Sequence, residues 1–305
     1  MLPLAASAQE RTEPLPFGNM DEWVTRQIKE SGIIGGNTKK LYEPGPTQTI
    51  IKNEAYTPLG GSPWRTSNVY ARVAGVTKTN TSVFPEARNG GYCARLETRF
   101  EKVKVFGLIN IEVIAAGSMF LGEAIEPISS TKDPYRTILF GTPFTKKPKA
   151  LRFDYKAKVM PEDFRLRATG FGRKDRIEGQ DSISVVLLLQ KRWEDAEGNI
   201  YARRVGTMVK RFAADTQDWV NGATFDVHYG DISDKPFFRH YMRLGEEGRN
   251  SKNSDGDIHP VQEVGWGTAD DHPTHLILQF VSSHGGAYVG SVGNTLWVDN
   301  VELVY

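Results

Sequence analysis

Residues 274–305 constrain the fold more than any other stretch of the chain. They open on the apolar run His275-Leu276-Ile277-Leu278-Gln279-Phe280-Val281-Ser282-Ser283, pass through the glycine-dense His284-Gly285-Gly286-Ala287-Tyr288-Val289-Gly290-Ser291-Val292-Gly293-Asn294, and close on Leu296-Trp297-Val298-Asp299-Asn300-Val301-Glu302-Leu303-Val304-Tyr305. Period-two patterning on both sides of a glycine loop signals strand, loop, strand. In the closing segment the alternation puts Leu296, Val298 and Asn300 on one face and Trp297, Asp299 and Val301 on the other. Such a strand is expected in the middle of a sheet. Asp299, a carboxylate among apolar neighbours, requires a partner or a metal if it is buried.

Composition agrees with an all-β chain. Thirty Gly, sixteen Pro and aromatics spread through short strand-like runs favour strands with long loops over helices, and 305 residues can form one large sandwich domain. A formal charge of +1 argues against a nucleic-acid binder, which needs a concentrated excess of Lys and Arg. A neutral partner such as a sugar or a protein surface fits better. No segment has the ~20 consecutive apolar residues of a membrane-spanning helix. Residues 1–8 contain Ala6-Ser7-Ala8, an A-x-A pattern like the end of a secretory signal peptide, so the folded domain is expected over residues 9–305. The single cysteine, Cys93, excludes an intrachain disulfide and reads as a small buried hydrophobe.

Along the chain, Asp21 is placed to cap a short N-terminal helix carrying Trp23, Val24 and Ile28, stopped by Gly32. The loop Gly60-Gly61-Ser62-Pro63-Trp64-Arg65-Thr66-Ser67-Asn68 gathers a flat ring, a guanidinium and an amide within five residues, the mixture that sugar recognition uses. Equally, Trp64 could plug the end of the core. Residues 150–158 alternate, with Leu151, Phe153 and Tyr155 inward and Arg152, Asp154 and Lys156 opposite. Residues 181–190 form the most hydrophobic run and should be central. Glu197-Gly198-Asn199 reads as a hairpin turn, while 123–148, 160–180 and 230–273 read as long loops or excursions.

Catalytic signatures are sparse. The histidines show no H-x-x-x-H spacing, and there is neither a G-x-S-x-G elbow nor a Walker loop. Asn253-Ser254-Asp255-Gly256-Asp257 lacks EF-hand spacing. Glycoside hydrolysis would need two carboxylates facing across a cleft. Glu97, Glu112, Asp154, Asp181 and Glu263 are available, but spacing alone pairs none of them.

Six pieces in order carry a family resemblance: Trp64-x-Thr66-Ser67-Asn68, Cys93-Ala94-Arg95-Leu96-Glu97-Thr98, Ala115-Ala116-Gly117-Ser118-Met119-Phe120-Leu121-Gly122, Gly141-Thr142-Pro143-Phe144 with Lys147-Pro148, Phe153-x-Tyr155-Lys156, and the closing segment from Ser282 to Leu303. With them the chain resembles the putative carbohydrate metabolism domain (PCMD) family of Bacteroidetes. The resemblance implies a two-sheet antiparallel β-sandwich of jelly-roll type with a sugar pocket. It extends the candidate carbohydrate-binding set to Trp64 and Tyr155 for stacking, with Arg65, Asn68 and Glu97 as hydroxyl partners. By analogy with sugar-binding jelly rolls, Asn19, Asp21 and Asp299 form a candidate calcium cluster; a solvated cap and a hydrogen-bonded carboxylate is the alternative. The expectation is a secreted, periplasmic or cell-surface protein that binds an oligosaccharide or polysaccharide, alone or beside other cell-envelope glycan-utilisation proteins. A glycoside hydrolase and an adhesion or scaffold domain are the alternatives.

Overall fold

The computed structural model describes residues 11–58, 61–73, 75–105, 109–129, 135–170, 174–245 and 249–305, with only the backbone described over 103–105 and 109–111. The signal-peptide remnant expected over residues 1–8 lies outside the described residues. Among the described residues no helix is long and apolar enough to cross a membrane.

Two sheets face one another across an apolar core. One has six strands and runs Val220–Asp226, Ala150–Lys158, Thr295–Val304, Gly91–Glu97, Val83–Arg88, with Thr12–Pro14 added beside the end of Thr295–Val304. The closing strand is therefore interior, as its pattern predicts. The other sheet has ten strands, and Ile183–Glu194 lies between His275–Val281 and Ile200–Phe212. The chain crosses repeatedly from one sheet to the other. It passes from Gly91–Glu97 to Ser118–Ala124, back to Ala150–Lys158, across to the long 183–212 hairpin, back to Val220–Asp226, across to His275–Val281 and home to Thr295–Val304. That alternation gives the all-β sandwich its jelly-roll character.

The core follows from the period-two pattern of each strand. Leu151, Phe153, Ala94, Leu96, Leu296 and Val298 meet Val185, Leu187, Leu189, Met208, Leu278 and Phe280 from the opposite sheet. Phe153 and Phe280 touch across the two layers with ring centroids 5.2 Å apart at 84°. This edge-to-face arrangement suits the aromatic quadrupoles.

Ile183–Glu194 is buried on both faces through residue 190. Its odd positions enter the main core, while Val186 and Leu188 turn the other way, against Phe120, Phe140 and Ile277. A near-continuous apolar run is what a strand covered on both sides requires. The cover arises because strand pairings close into a cycle. Ser118–Ala124 pairs with both His275–Val281 and Ile138–Phe140, and the latter continues through Asn250–Lys252 and Ile258–Trp266 to Ile200–Phe212. Residues 123–148 and 230–273 thus supply strands where loops are expected from sequence. Ile138–Phe140 and Asn250–Lys252 are only three residues long, too short to show a period, and Ile258–Trp266 contains Pro260 and Gly265 and buries only Val261. The 195–199 turn forms as expected, with Gly198 at φ 78° and the Asp195 carboxylate accepting from the Glu197 and Asn199 amides.

The expected N-terminal helix is instead the strand Trp23–Lys29, paired antiparallel with Thr38–Pro44 and parallel with Gln48–Ile50. Val24 and Ile28 fit both a helical and a strand period; Arg26, between them, decides it. Its side chain is buried on their face and forms an ion pair with Glu126 at 2.7 Å. A charged side chain at this inward position hides the alternation in the sequence. Asp21 caps no helix and accepts instead from the Tyr92 amide at 3.0 Å.

The neighbouring strand carries Glu43, a buried carboxyl whose pKa burial pushes up to about 8, with Arg65 pulling it down and Glu126 raising it further. An acid whose folded pKa is raised binds its proton more tightly folded than unfolded. Stability is then fully present below the unfolded value near 4.5 and falls as pH rises from there to about 8. Glu43→Gln should flatten that fall in denaturant titrations at pH 5, 6, 7 and 8. Parallel pH profiles for the two proteins would show that Glu43 carries no such linkage.

Candidate functional site

The outer side of the six-stranded sheet faces away from the core and collects the side chains that alternation leaves over. Phe84, Arg95, Trp297 and Lys156 form one cross-strand row. The half-buried Trp297 indole donates its Nε1–H to Glu86 at 2.8 Å. Arg95 bridges Glu86 at 2.8 Å and Glu97 at 2.5 Å, and its guanidinium lies 4.4 Å from the centre of the Phe84 ring. The Lys156 ammonium stands 5.8 Å from the Trp297 ring centre. An aromatic face is thus framed by planar groups held in fixed orientation.

In the adjacent row, Asp154 lies directly opposite Asp299. Bulges flank Asp154 on both sides, because one extra residue is inserted in Thr295–Val304 and one in Val220–Asp226. The left-handed residues at these bulges are Asn300 (φ 50°) and Gly222 (φ 62°). Asp154 satisfies both, accepting from the Gly222 amide at 2.6 Å and from Asn300 Nδ2 at 2.9 Å. The bulge also revises the expected faces of the closing strand: Val301 turns into the core with Leu296 and Val298, while Asp299 stays on the outer side. Bulges of this kind re-aim side chains and are common beside functional sites.

Arg88 ties the row together. Its Nη1 donates to Asp154 at 3.0 Å and to Asp299, its Nη2 donates to Asn221 at 2.6 Å, and its guanidinium stacks 3.8 Å from the Trp219 ring centre. Burial raises the Asp299 pKa, and Arg88 pulls it back down. Cys93 lies beneath this cluster with its thiol pushed up to about 12 by burial, which makes it an inert packing group as expected.

The sequence-predicted site residues are dispersed. Trp64 is 0 % exposed in the main core, with Nε1 donating to Pro16 O at 2.7 Å and its ring 6.3 Å from Phe280, so it presents no face to a sugar. Arg65 is buried against Tyr56 and donates to the Trp64 carbonyl. Asn68 uses both ends of its amide on backbone: Oδ1 accepts from Ser82 and Val83, and Nδ2 donates to Tyr42 and Val83. Tyr155 points inward onto Phe212 at 4.5 Å, as its alternation required, which conflicts with a stacking role. Only Glu97, of these five, reaches the outer face. The loop composition around Trp64 matched a sugar site, but its buried, strand-forming position makes it core.

The calcium candidates are also divided. Asn19 donates to Asp21 at 2.9 Å, Asp21 serves the Tyr92 amide, and Asp299 faces the Arg88 guanidinium. The cation that meets Asp299 is the Arg88 guanidinium, and among the described residues no three His, Cys, Asp or Glu side chains gather around one metal position. Gly91 allows the Asp21 contact, since a Cβ there would lie 2.0 Å from Oδ1.

The residues missed from sequence are Trp297, Glu86, Arg95, Arg88 and Trp219. Trp297 was readable as outward-facing from the alternation of the closing strand. Its neighbours were not, because cross-strand register sets them. Removing Arg88 would leave two carboxylates buried side by side, so Arg88→Met should cost about 3–5 kcal/mol of stability. Urea unfolding measures this, and a loss below about 1 kcal/mol would mean that the cluster is solvated rather than clamped.

A family profile described as "Putative carbohydrate metabolism domain" matches residues 42–218. Among solved structures, a putative glycoside hydrolase from Bacteroides thetaiotaomicron is 20% identical, with 88% of this chain and 75% of that one covered and a TM-score of 0.47. A putative glycoside hydrolase from Bacteroides vulgatus is 15% identical, with 96% and 94% covered and a TM-score of 0.43. A non-crystalline cellulose specific carbohydrate-binding module, CBM28, is 10% identical, with 80% and 90% covered and a TM-score of 0.29. No curated protein matches the chain. Because the family profile spans more than half of the sequence, the chain belongs to the putative carbohydrate metabolism domain family.

Proposed function

We propose that this protein binds an oligosaccharide or polysaccharide on the outer face of its six-stranded sheet. Trp297 is the stacking surface, Glu86, Arg95 and Glu97 are the hydroxyl partners, and Trp219 extends the platform beside Arg88. The observation that carries this reading is the half-buried indole of Trp297, locked by its N–H to Glu86 in one cross-strand row with Arg95 and Lys156. A pyranose offers a C–H face to a ring and paired hydroxyls to planar carboxylate and guanidinium groups. The family's association with carbohydrate metabolism supports the ligand class. The Ala6-Ser7-Ala8 stretch supports action outside the cytoplasm, secreted or at the cell envelope.

A hydrolase reading draws on Asp154 and Asp299, but these are direct cross-strand neighbours on one sheet face, whereas a glycosidase places its two carboxyls on either side of the bond it breaks. Arg88 donates to both, which holds them as acceptors, whereas a general acid must keep a proton to give. Binding is therefore the favoured reading.

Glycan-array screening followed by calorimetry should find a neutral or mixed-charge oligosaccharide. Trp297→Ala should weaken it about tenfold or more. Trp193→Ala, a 43% exposed tryptophan on the opposite sheet, should leave affinity unchanged. Equal affinity in wild type and Trp297→Ala would remove the face from consideration. Release of reducing ends that stops in both Asp154→Asn and Asp299→Asn would replace binding with hydrolysis.

A further inference from the structure

The outer face that carries Trp297 is charged unequally on its two sides. Thr295–Val304 runs through the middle of that face, and Trp297 and Thr295 are the centres of successive cross-strand rows. In the first row Arg95 lies on one side of Trp297 and Lys156 on the other; in the second Glu97 lies on one side of Thr295 and Lys158 on the other. Glu86, one strand beyond Gly91–Glu97, adds a carboxylate to the Arg95 side, where it accepts from Trp297 and pairs with Arg95. Hydroxyl acceptors therefore line one flank of the indole, and Ala150–Lys158 brings two ammonium groups to the other. Neighbouring strands lie about 4.8 Å apart, so the two flanks stand about 10 Å apart, which leaves room for one sugar ring above the column between them.

The guanidiniums and carboxylates of this face are matched to one another. Arg95 bridges Glu86 and Glu97, and Arg88 holds Asp154, Asp299 and Asn221. The lysines are not matched in this way: among the described residues, no carboxylate lies within ion-pair reach of Lys156 or Lys158. Lys156 is half-buried, and its ammonium stands 5.8 Å from the Trp297 ring centre, near the ~6 Å limit of such a contact, so the indole places the charge without cancelling it. An ammonium carries three donors on a flexible stem and accepts nothing. Water satisfies those donors on a bare surface. A ring stacked on Trp297 displaces part of that water and must replace its bonds, and an anionic acceptor does so with the stronger, charge-assisted bond.

We infer that the saccharide taken by this face is acidic. It stacks one ring on Trp297, gives hydroxyl hydrogens to Glu86 and Glu97, and places a uronate carboxylate or a sulfate ester against Lys156, with Lys158 beside it. The assignment rests on sugar binding at Trp297. The unequal flanks also fix the direction of the sugar, because an anionic substituent turned the other way would meet Glu86 and Glu97.

The test is calorimetric titration of the full chain with a paired panel: glucuronate-, galacturonate- and mannuronate-containing oligosaccharides beside their carboxyl-reduced counterparts, and sulfated oligosaccharides beside their desulfated ones. Wild type should bind at least one acidic member about fivefold or more tighter than its neutral counterpart, a preference that shrinks as sodium chloride rises from ~50 to ~500 mM. The member that responds identifies the group as carboxylate or sulfate. Lys156→Met, which keeps the apolar stem, should bring the acidic and neutral affinities together, and Lys156→Arg should retain most of the difference. Trp297→Ala should weaken both forms. Equal affinities within every pair in wild type, with both lowered in Trp297→Ala, would overturn the acidic assignment and leave the platform standing. An acidic preference undiminished in Lys156→Met/Lys158→Met would also overturn it. Binding of no member, or affinities untouched by Trp297→Ala, would remove the platform and this inference together.

Discussion

Burial of Ile183–Glu194 on both faces is the constraint from which the rest of the architecture follows. A strand with apolar side chains in both directions cannot leave either face in water. At about 25 cal/mol per Å² of apolar surface, exposing one face would forfeit several kcal/mol. One face is met by the six-stranded sheet, where Val185, Leu187 and Leu189 share the core with Leu151, Phe153 and Leu296. The other is covered because Ser118–Ala124, Ile138–Phe140, Asn250–Lys252 and Ile258–Trp266 carry strand pairing round to Ile200–Phe212. The second layer is smaller and fills its deeper space with polar side chains. Arg192 and Gln190 are buried there because each reaches a hydrogen-bond partner.

The two bulges at Asp154 connect this scaffold to its outer surface. A regular ladder would have set Asn300 and Val301 on the faces that simple alternation gives them. One extra residue in each neighbouring strand lets Val301 rejoin the core and leaves Asp299 opposite Asp154 under Arg88. The buried charges are kept because each carboxylate has donors from backbone or side chain, and the arginine has both carboxylates. Trp219, stacked on that arginine, is held at the edge of the face that Trp297 centres.

Much of the fold was legible in the residue pattern. The interior placement of the closing strand, the central position of residues 181–190, the inward Leu151, Phe153 and Tyr155, and the turn at Gly198 all follow from local periodicity and turn chemistry. Trp23–Lys29 misled because Val24 and Ile28 satisfy two periods at once, and the deciding residue, Arg26, is buried by a partner a hundred positions away at Glu126. Trp64 misled for a related reason. Its loop-like, sugar-like neighbours say what chemistry is present, whereas its exposure depends on what packs over it.

Sequence by itself determined that the chain is all-β, which side chains alternate along each strand, and therefore that Trp297 and Asp299 share a face. Those properties depend on neighbours two residues apart. Only tertiary structure decided that Arg88, Glu86 and Arg95 meet that face. Register, bulges and strand closure join residues separated by scores of positions, and no local pattern records which of many possible partners a buried charge will find.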